Sequence, residues 1–263
     1  MEKIDTKKPV VIIQARMGST RLPNKIMLNL AGKPVLWHVA KRASLAKNVG
    51  GVIIATTENE EDNVIRDFCE RDGINYFRGS EDDVLDRYYQ CAKHYGICDI
   101  VRITADCPLH DPAVIDLVVG EYLKGGYDYV ANTIEYTFPD GMDVEVFSFR
   151  ALERAWKNAQ LISEREHVTP YLRKQENVRK KNVYSTKGYP VYRLTLDNPE
   201  DYELITKIYE GIGKELFGLD EIHDFLQKNP ELLKLNQHID LNEGYAQSLR
   251  EDGEYLKKTA SRN

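Results

Sequence analysis

Three cations crowd one short stretch near the start of the chain. Arg16, Arg21 and Lys25 are interleaved with Gly18, Ser19 and Thr20 in the run Ala15-Arg16-Met17-Gly18-Ser19-Thr20-Arg21-Leu22-Pro23-Asn24-Lys25. Guanidinium and ammonium groups are charged donors to phosphate oxygens, hydroxyls add neutral donors, and glycine lets a backbone approach closely. Such a loop suits a triphosphate, and its cations would offset the charge that gathers on departing pyrophosphate. The competing reading is a solvated basic loop. Two carboxylates supply complementary chemistry. Asp106 follows Ile103-Thr104-Ala105, and Asp197 follows Leu194-Thr195-Leu196, each just past an apolar run. Either can be a helix cap or a turn former; together they can give hard oxygen ligands to Mg²⁺ that bridges phosphates. Asp201, in the first turn of the next helix, is a weaker metal candidate or a solvent-facing residue.

These groups need a scaffold, and the first half of the chain supplies one. Short apolar or β-rich runs at 10–13, 52–55, 75–77, 100–104 and 127–131 alternate with helical patterns at about 34–46, 62–71 and 84–95. Ser80 with Asp83 reads as a capping box, and Asp111-Pro112 as an N-cap with proline in the first turn. Strand and helix in alternation predict a parallel sheet with right-handed crossovers. Ligands of such sheets bind beyond the carboxyl ends of the strands, where the cationic loop falls. After about residue 131 the pattern changes. Asp140-Gly141 reads as a turn, Val144, Val146 and Phe149 as a strand entering a helix, and 151–160 and 164–175 as helices. Residues 178–185 and 191–196 read as paired strands, Asn198-Pro199 as a helix start, and Asn229-Pro230 as a break. The charged stretch 242–258 is expected to be a solvated helix without direct chemistry.

With 263 residues, 42% hydrophobic and 30% charged, the chain is sized for a single folded domain, 1–263, carrying a smaller subregion at 140–190. A net charge of -6 argues against an extended nucleic-acid surface. The charged start and the strand-length apolar run after it fit neither a signal peptide nor a membrane helix. The four cysteines show no C-x-x-C pair and read as structural thiols of a reducing cytoplasm. Neither G-x-x-x-x-G-K-[ST] nor G-x-G-x-x-G occurs, so the P-loop and dinucleotide fingerprints are unsupported.

The loop from Ile13 to Lys25 resembles the signature loop of the cytidylyltransferases that activate acidic sugars, the CMP-Kdo and CMP-sialate synthetases. It is closer still to the SpsF-type branch of spore-coat polysaccharide biosynthesis, and the similarity runs from Val10 to about Ile205. The resemblance implies a Rossmann-like α/β fold of the nucleotide-diphospho-sugar transferase (GT-A-like) type, mostly parallel, with 140–190 serving acceptor binding and dimerisation. It implies transfer of a cytidylyl group from CTP to an acidic sugar or similar small acceptor, with Mg²⁺, in a cytoplasmic homodimer. By matching positions Arg16 and Lys25 contact phosphates as the catalytic pair, with Ala15, Gly18, Ser19 and Arg21 in nucleotide binding. Asp106 and Asp197 match the family's metal aspartates. Gly79 and Ser80 match a segment near the nucleoside. Thr104 stands where the acidic-sugar synthetases place a cytosine-reading glutamine, which leaves base choice open. Asp143, Glu145, Glu166 and His167 match segments near the acceptor, while Arg165, Arg173 and Arg193 read equally as acceptor ligands or as ion pairs.

Two other functions compete. A nucleotide-sugar glycosyltransferase on a related fold would hold metal through a D-x-D pair, but Asp106 is followed two residues later by Pro108. A non-catalytic nucleotide binder would have less use for the basic loop together with both aspartates.

Overall fold

A computed structural model describes residues 3–241 and 243–260. The strands are β1 (Val10–Gln14), β2 (Asn29–Leu30), β3 (Lys33–Pro34), β4 (Val52–Thr57), β5 (Asn75–Gly79), β6 (Asp99–Thr104), β7 (Tyr129–Ala131), β8 (Glu145–Ser148) and β9 (Lys180–Asn182). The helices are α1 (Val35–Ser44), α2 (Asn63–Asp72), α3 (Val84–Tyr95), α4 (Pro112–Leu123), α5 (Phe149–Asn158), α6 (Ile162–His167), α7 (Pro170–Lys174), α8 (Pro199–Ile212), α9 (Leu219–Lys228) and α10 (Glu243–Ala260).

Seven strands form one sheet in the order β5-β4-β1-β6-β8-β7-β9. β5, β4, β1 and β6 pair in parallel, β8 runs antiparallel to both β6 and β7, and β9 is parallel to β7. The central strand carries apolar side chains on both faces because helices cover both. Val11 and Ile13 join the hydrophobic cluster of α1, α4 and α8, while Val10 and Ile12 join that of α3 and α5. That division is the two-residue period of a pleated strand. Each fully buried Val or Ile contributes about 1.5–3 kcal/mol.

Local signals fix where the helices begin and end. Asp111 caps α4 by accepting the Ala113 N–H at 2.8 Å, with Pro112 at the first position. α3 ends at Gly96, whose φ of 65° is the left-handed stop that glycine permits. The cap of α3 lies later than the sequence pattern indicates. Asp83, not Ser80, accepts from the Asp86 N–H at 2.8 Å, and the Ser80 hydroxyl accepts from the Asp83 N–H one turn earlier.

Two further expectations are corrected. The expected helix at 164–175 divides into α6 and α7 at Val168, which is buried with φ 69°; Pro170 then opens the second piece. The expected strand pair 178–185 and 191–196 does not form. Only Lys180–Asn182 is a strand, and it pairs with β7. Residues 192–196 find backbone partners elsewhere: the Leu194 N–H donates to the Asp140 carbonyl and the Leu196 N–H to the Asp106 carbonyl, at 2.9 and 2.8 Å. That placement carries Asp197 to the end of β6. Among the described residues no helix is long and apolar enough to cross a membrane.

Candidate active site

The carboxyl ends of β1 and β6, with the start of β8, open onto one cleft of about 570 Å³, a size suited to a small-molecule ligand. The cationic loop leaves β1 and is pinned by the buried Asp62. The Met17 N–H donates to one Asp62 oxygen at 2.7 Å, and the Thr57 hydroxyl donates to the other. The Ala15 N–H is spent on the Ala55 carbonyl at 3.0 Å, and the Ser19 N–H on the Met17 carbonyl at 2.8 Å. Asn24, left-handed at φ 59°, then turns the chain into a 3-10 turn, Lys25–Met27, anchored by the buried Ile26.

Lys25 emerges between the two aspartates. Its Nζ donates to Asp106 Oδ2 at 2.9 Å and to Asp197 Oδ1 at 2.7 Å. Burial works against the lysine charge, but Asp106 and Asp197 outweigh it and the Lys25 pKa is raised. The reciprocal effect holds Asp106 at about 2: burial opposes its charge, and the Lys25 ammonium with the Thr104 hydroxyl more than compensates. Arg21 adds a second cation 3.1 Å from Asp197 and reaches Glu243 of α10 at 2.5 Å. Arg16 lines the same cleft but faces away from this cluster, 3.8 Å from Glu81.

Asp197 is held in place from behind. Arg193, buried, reaches Asp197 at 3.2 Å and Asp201 at 2.9 Å. Asp201 is itself buried and accepts the N–H groups of Asp197 and Asn198 at 3.0 and 2.9 Å. It therefore faces neither solvent nor a metal, and acts as the anchor of the Asp197 turn. Two carboxylates meeting on one ammonium form a cation site by their chemistry. Among the described residues no group of three or more His, Cys, Asp or Glu gathers to enclose a metal. The donor set thus fits an ion that takes one or two protein carboxylates and fills its remaining positions with phosphate oxygens and water, as Mg²⁺ does.

The other end of the cleft is built around Glu145, 2% exposed. Its carboxylate receives Arg173 at 2.7 Å, the Thr169 hydroxyl at 2.7 Å, and also Arg102 and the Tyr129 hydroxyl. Burial alone would raise its pKa, but Arg173 and Arg102 hold it at about 2. Glu145 is already engaged by its own fold and orients two arginines at the wall of the cleft. Two guanidinium groups on one carboxylate leave net positive charge facing the cleft. Asp143 stands beside them with its pKa pushed up to about 8 by burial and by Asp140 and Glu145, so it carries a proton at neutral pH.

Glu166 and His167 both reach the cleft, and both are tied to α10: the Ser248 hydroxyl donates to Glu166 at 2.6 Å and lies 2.9 Å from His167 Nε2. The Tyr245 ring packs edge-on against the His167 ring at 5.2 Å. Buried Asp252 accepts both the Ser163 N–H and its hydroxyl, at 2.9 and 2.5 Å. α10 is thus not a free solvated helix. It packs on α6, and its first residues, including Glu243 and Tyr245, line the cleft.

Of the sequence-derived site residues, Ala15, Arg16, Gly18, Ser19, Arg21, Lys25, Thr104, Asp106, Asp143, Glu145, Glu166, His167 and Asp197 line this one cleft. Gly79 and Ser80 are not among its lining residues; they brace the ends of β4 and β5, where the Glu58 N–H donates to the Gly79 carbonyl at 3.2 Å. Arg165 pairs with Asp83 and serves packing between α3 and α6. Sequence reasoning missed Arg87, Arg102 and Tyr245, all in the cleft wall. Arg102 had a legible signal, a lone cation inside the apolar run Ile100-Val101-Arg102-Ile103.

The class that this fold and cleft define agrees with comparison to known proteins. The chain belongs to the cytidylyltransferase family, whose model matches residues 10–237, and it is a nucleotidyltransferase. It is 40% identical over 235 residues to an uncharacterized protein of Methanocaldococcus jannaschii, covering 88% of this chain and 96% of that protein. It is 33% identical over 229 residues to the spore coat polysaccharide biosynthesis protein SpsF of Bacillus subtilis, covering 84% and 94%. Among solved structures, a cytidylyltransferase from Leptospira borgpetersenii superposes with a TM-score of 0.83 at 34% identity, covering 89% of this chain and 99% of that one. The family match ends before α10 begins.

Proposed function

We propose that this chain transfers a cytidylyl group from CTP to a hydroxyl of an acidic sugar, releasing pyrophosphate, in the assembly of a surface polysaccharide. An acceptor oxygen attacks the α-phosphorus, the bond from that phosphorus to the bridging oxygen of the β-phosphate breaks, and the acceptor's proton leaves to solvent or a nearby carboxylate. The observation that supports this most is the meeting of Lys25 with Asp106 and Asp197 at the end of β6. Asp106 and Asp197 would hold Mg²⁺, which when bound neutralises phosphate charge and polarises the α-phosphate. Lys25 and Arg21 are the cations that would meet the pyrophosphate oxygens, while Arg16, Gly18 and Ser19 would shape the loop over the phosphates. The net positive charge of Arg102 and Arg173 over Glu145 suits the acceptor carboxylate, and protonated Asp143 can donate to an acceptor oxygen. The same reading carries a cytoplasmic homodimer that uses the subregion 140–190 for acceptor binding and subunit contact.

The direct test is a pyrophosphate-release screen with the four ribonucleoside triphosphates, Mg²⁺ and a panel of keto-acid sugars and phosphorylated acceptors. Release that requires both CTP and a carboxylate-bearing sugar, with a CMP-sugar recovered, is the expected result. Equal use of all four nucleotides, or turnover only with phosphorylated acceptors, would overturn it.

A further inference from the structure

Helix α3 places a buried cation in the cleft wall that the described residues answer only in part, Asp62 and Glu81 acting on it through space. Arg87 is 2% exposed, lines the cleft, and its Nε and Nη1 have no hydrogen-bond partner among the described residues. Other buried arginines are better provided for: Arg102 pairs with Glu145, Arg193 with Asp201, and Arg42 donates to Tyr209 and to the Phe217 carbonyl, leaving only its Nη2 without a partner among the described residues. Burial lowers the Arg87 pKa, and nearby Arg16 adds to that effect. A fold seldom keeps an unpaired buried guanidinium without a ligand to meet it. Its place is also prepared. A Cβ on Gly79 would lie 3.0 Å from the Phe77 ring and 3.3 Å from Arg87 Cγ, so glycine there leaves room for the arginine stem.

Arg87 neighbours Arg16 and is not among the cations gathered on Asp106 and Asp197. Lys25 and Arg21 are gathered on Asp197, beside Asp106 at the end of β6. Arg87 comes instead from the helix packed over β1, β4 and β5. From β6 to β4 is two strand spacings, roughly 10 Å, about the length of a nucleoside. A nucleotide with its α-phosphate at the acidic pair therefore extends its base toward Arg87.

We propose that Arg87 reads the cytosine ring, its guanidinium fork donating to the adjacent acceptors O2 and N3. Cytosine offers two acceptors side by side on that edge; uracil places an N–H at N3, which faces the donors and is rejected. A planar fork suits two neighbouring acceptors, whereas a lysine would supply only a point charge. This inference deepens the nucleotide reading above and rests on it. It also supplies a base contact in a chain that has Thr104 where the related synthetases use glutamine.

The test is calorimetric binding of CTP, CDP, CMP and UTP to the full chain with Mg²⁺, for the native protein and for Arg87→Met and Arg87→Lys. The native protein should prefer CTP to UTP. Arg87→Met should weaken CTP, CDP and CMP by one common factor, about 10- to 100-fold, leave UTP unchanged, and keep or raise the Tm of the ligand-free protein. Arg87→Lys should remain defective. A loss that grows with the number of phosphates would make Arg87 a phosphate ligand and overturn the proposal; so would a parallel loss of UTP, full rescue by lysine, or a fall in Tm. A native protein that binds no CTP sinks the nucleotide reading itself, whereas native binding that survives unchanged in Arg87→Met sinks only the assignment of Arg87.

Discussion

Lys25 Nζ lies 2.7 Å from Asp197 Oδ1, joining residues 172 positions apart in the chain. The contact places an ammonium where a divalent ion would share the same carboxylates. On the proposed reading, Lys25 and a divalent ion would compete for Asp106 and Asp197.

Lys25→Met is expected to lower pyrophosphate release by about 10²–10³-fold, the usual cost of losing a donor to developing charge. The same substitution should tighten divalent-ion binding to the nucleotide-free protein, because both carboxylates lose their internal cation. Titration with Mn²⁺ followed by electron paramagnetic resonance reads this directly. Unchanged or weaker Mn²⁺ binding would contradict the shared site.

Glu145→Gln should destabilise the protein by about 3–5 kcal/mol, since it strands Arg102 and Arg173 around a neutral group. The pH dependence follows from the depressed pKa. Glu145 titrates near 4.5 when unfolded and about 2 when folded, so its contribution is full above the higher value and is lost as pH falls through the lower. Urea denaturation of native and variant should differ most at neutral pH and converge near pH 2.

Asp143→Asn should act in the opposite sense. A carboxyl held at about 8 in the fold but near 3.8 in the unfolded chain costs stability as pH rises between those values. The ligand-free variant should melt higher than the native protein at pH 8, with the difference vanishing near pH 4. A variant that melts lower at pH 8 would show that the ionised carboxylate is needed by the fold.

Ser248→Ala removes the hydroxyl that joins Glu166 and His167 to α10. It should raise KM for the acceptor several-fold and leave KM for CTP nearly unchanged. Truncation after Leu241 should do the same more strongly. Equal effects on both KM values would place α10 outside the acceptor end.

Much of this was legible in the residues themselves. β1, β4 and β6 announced themselves as buried runs, and the turn residues between them located the cationic loop and the two aspartates. Less legible was anything decided by a distant partner. Residues 191–196 have strand-like composition, yet their backbone partners sit at Asp106 and Asp140, which local pattern cannot reveal. Glu145 is expected near the acceptor from the segment that carries it, but the meeting of Arg102, Arg173 and Thr169 on its carboxylate is decided by residues far away in the chain. The docking of α10 rests on Ser248 and Asp252, two ordinary polar residues on a charged helix.

Gly141 has consequences beyond the turn it makes. At φ 97° it passes so close to residues 194–195 that an added Cβ would fall 2.7 Å from the Leu194 carbonyl carbon. The loop that carries Asp143 and the turn that carries Asp197 thus touch backbone to backbone, and neither can shift without disturbing the other. If an ion binds at Asp197 and an acceptor at Asp143 as proposed, any effect of the first on affinity for the second would be matched by an equal effect in return. That thermodynamic link would let the enzyme load its substrates as a set.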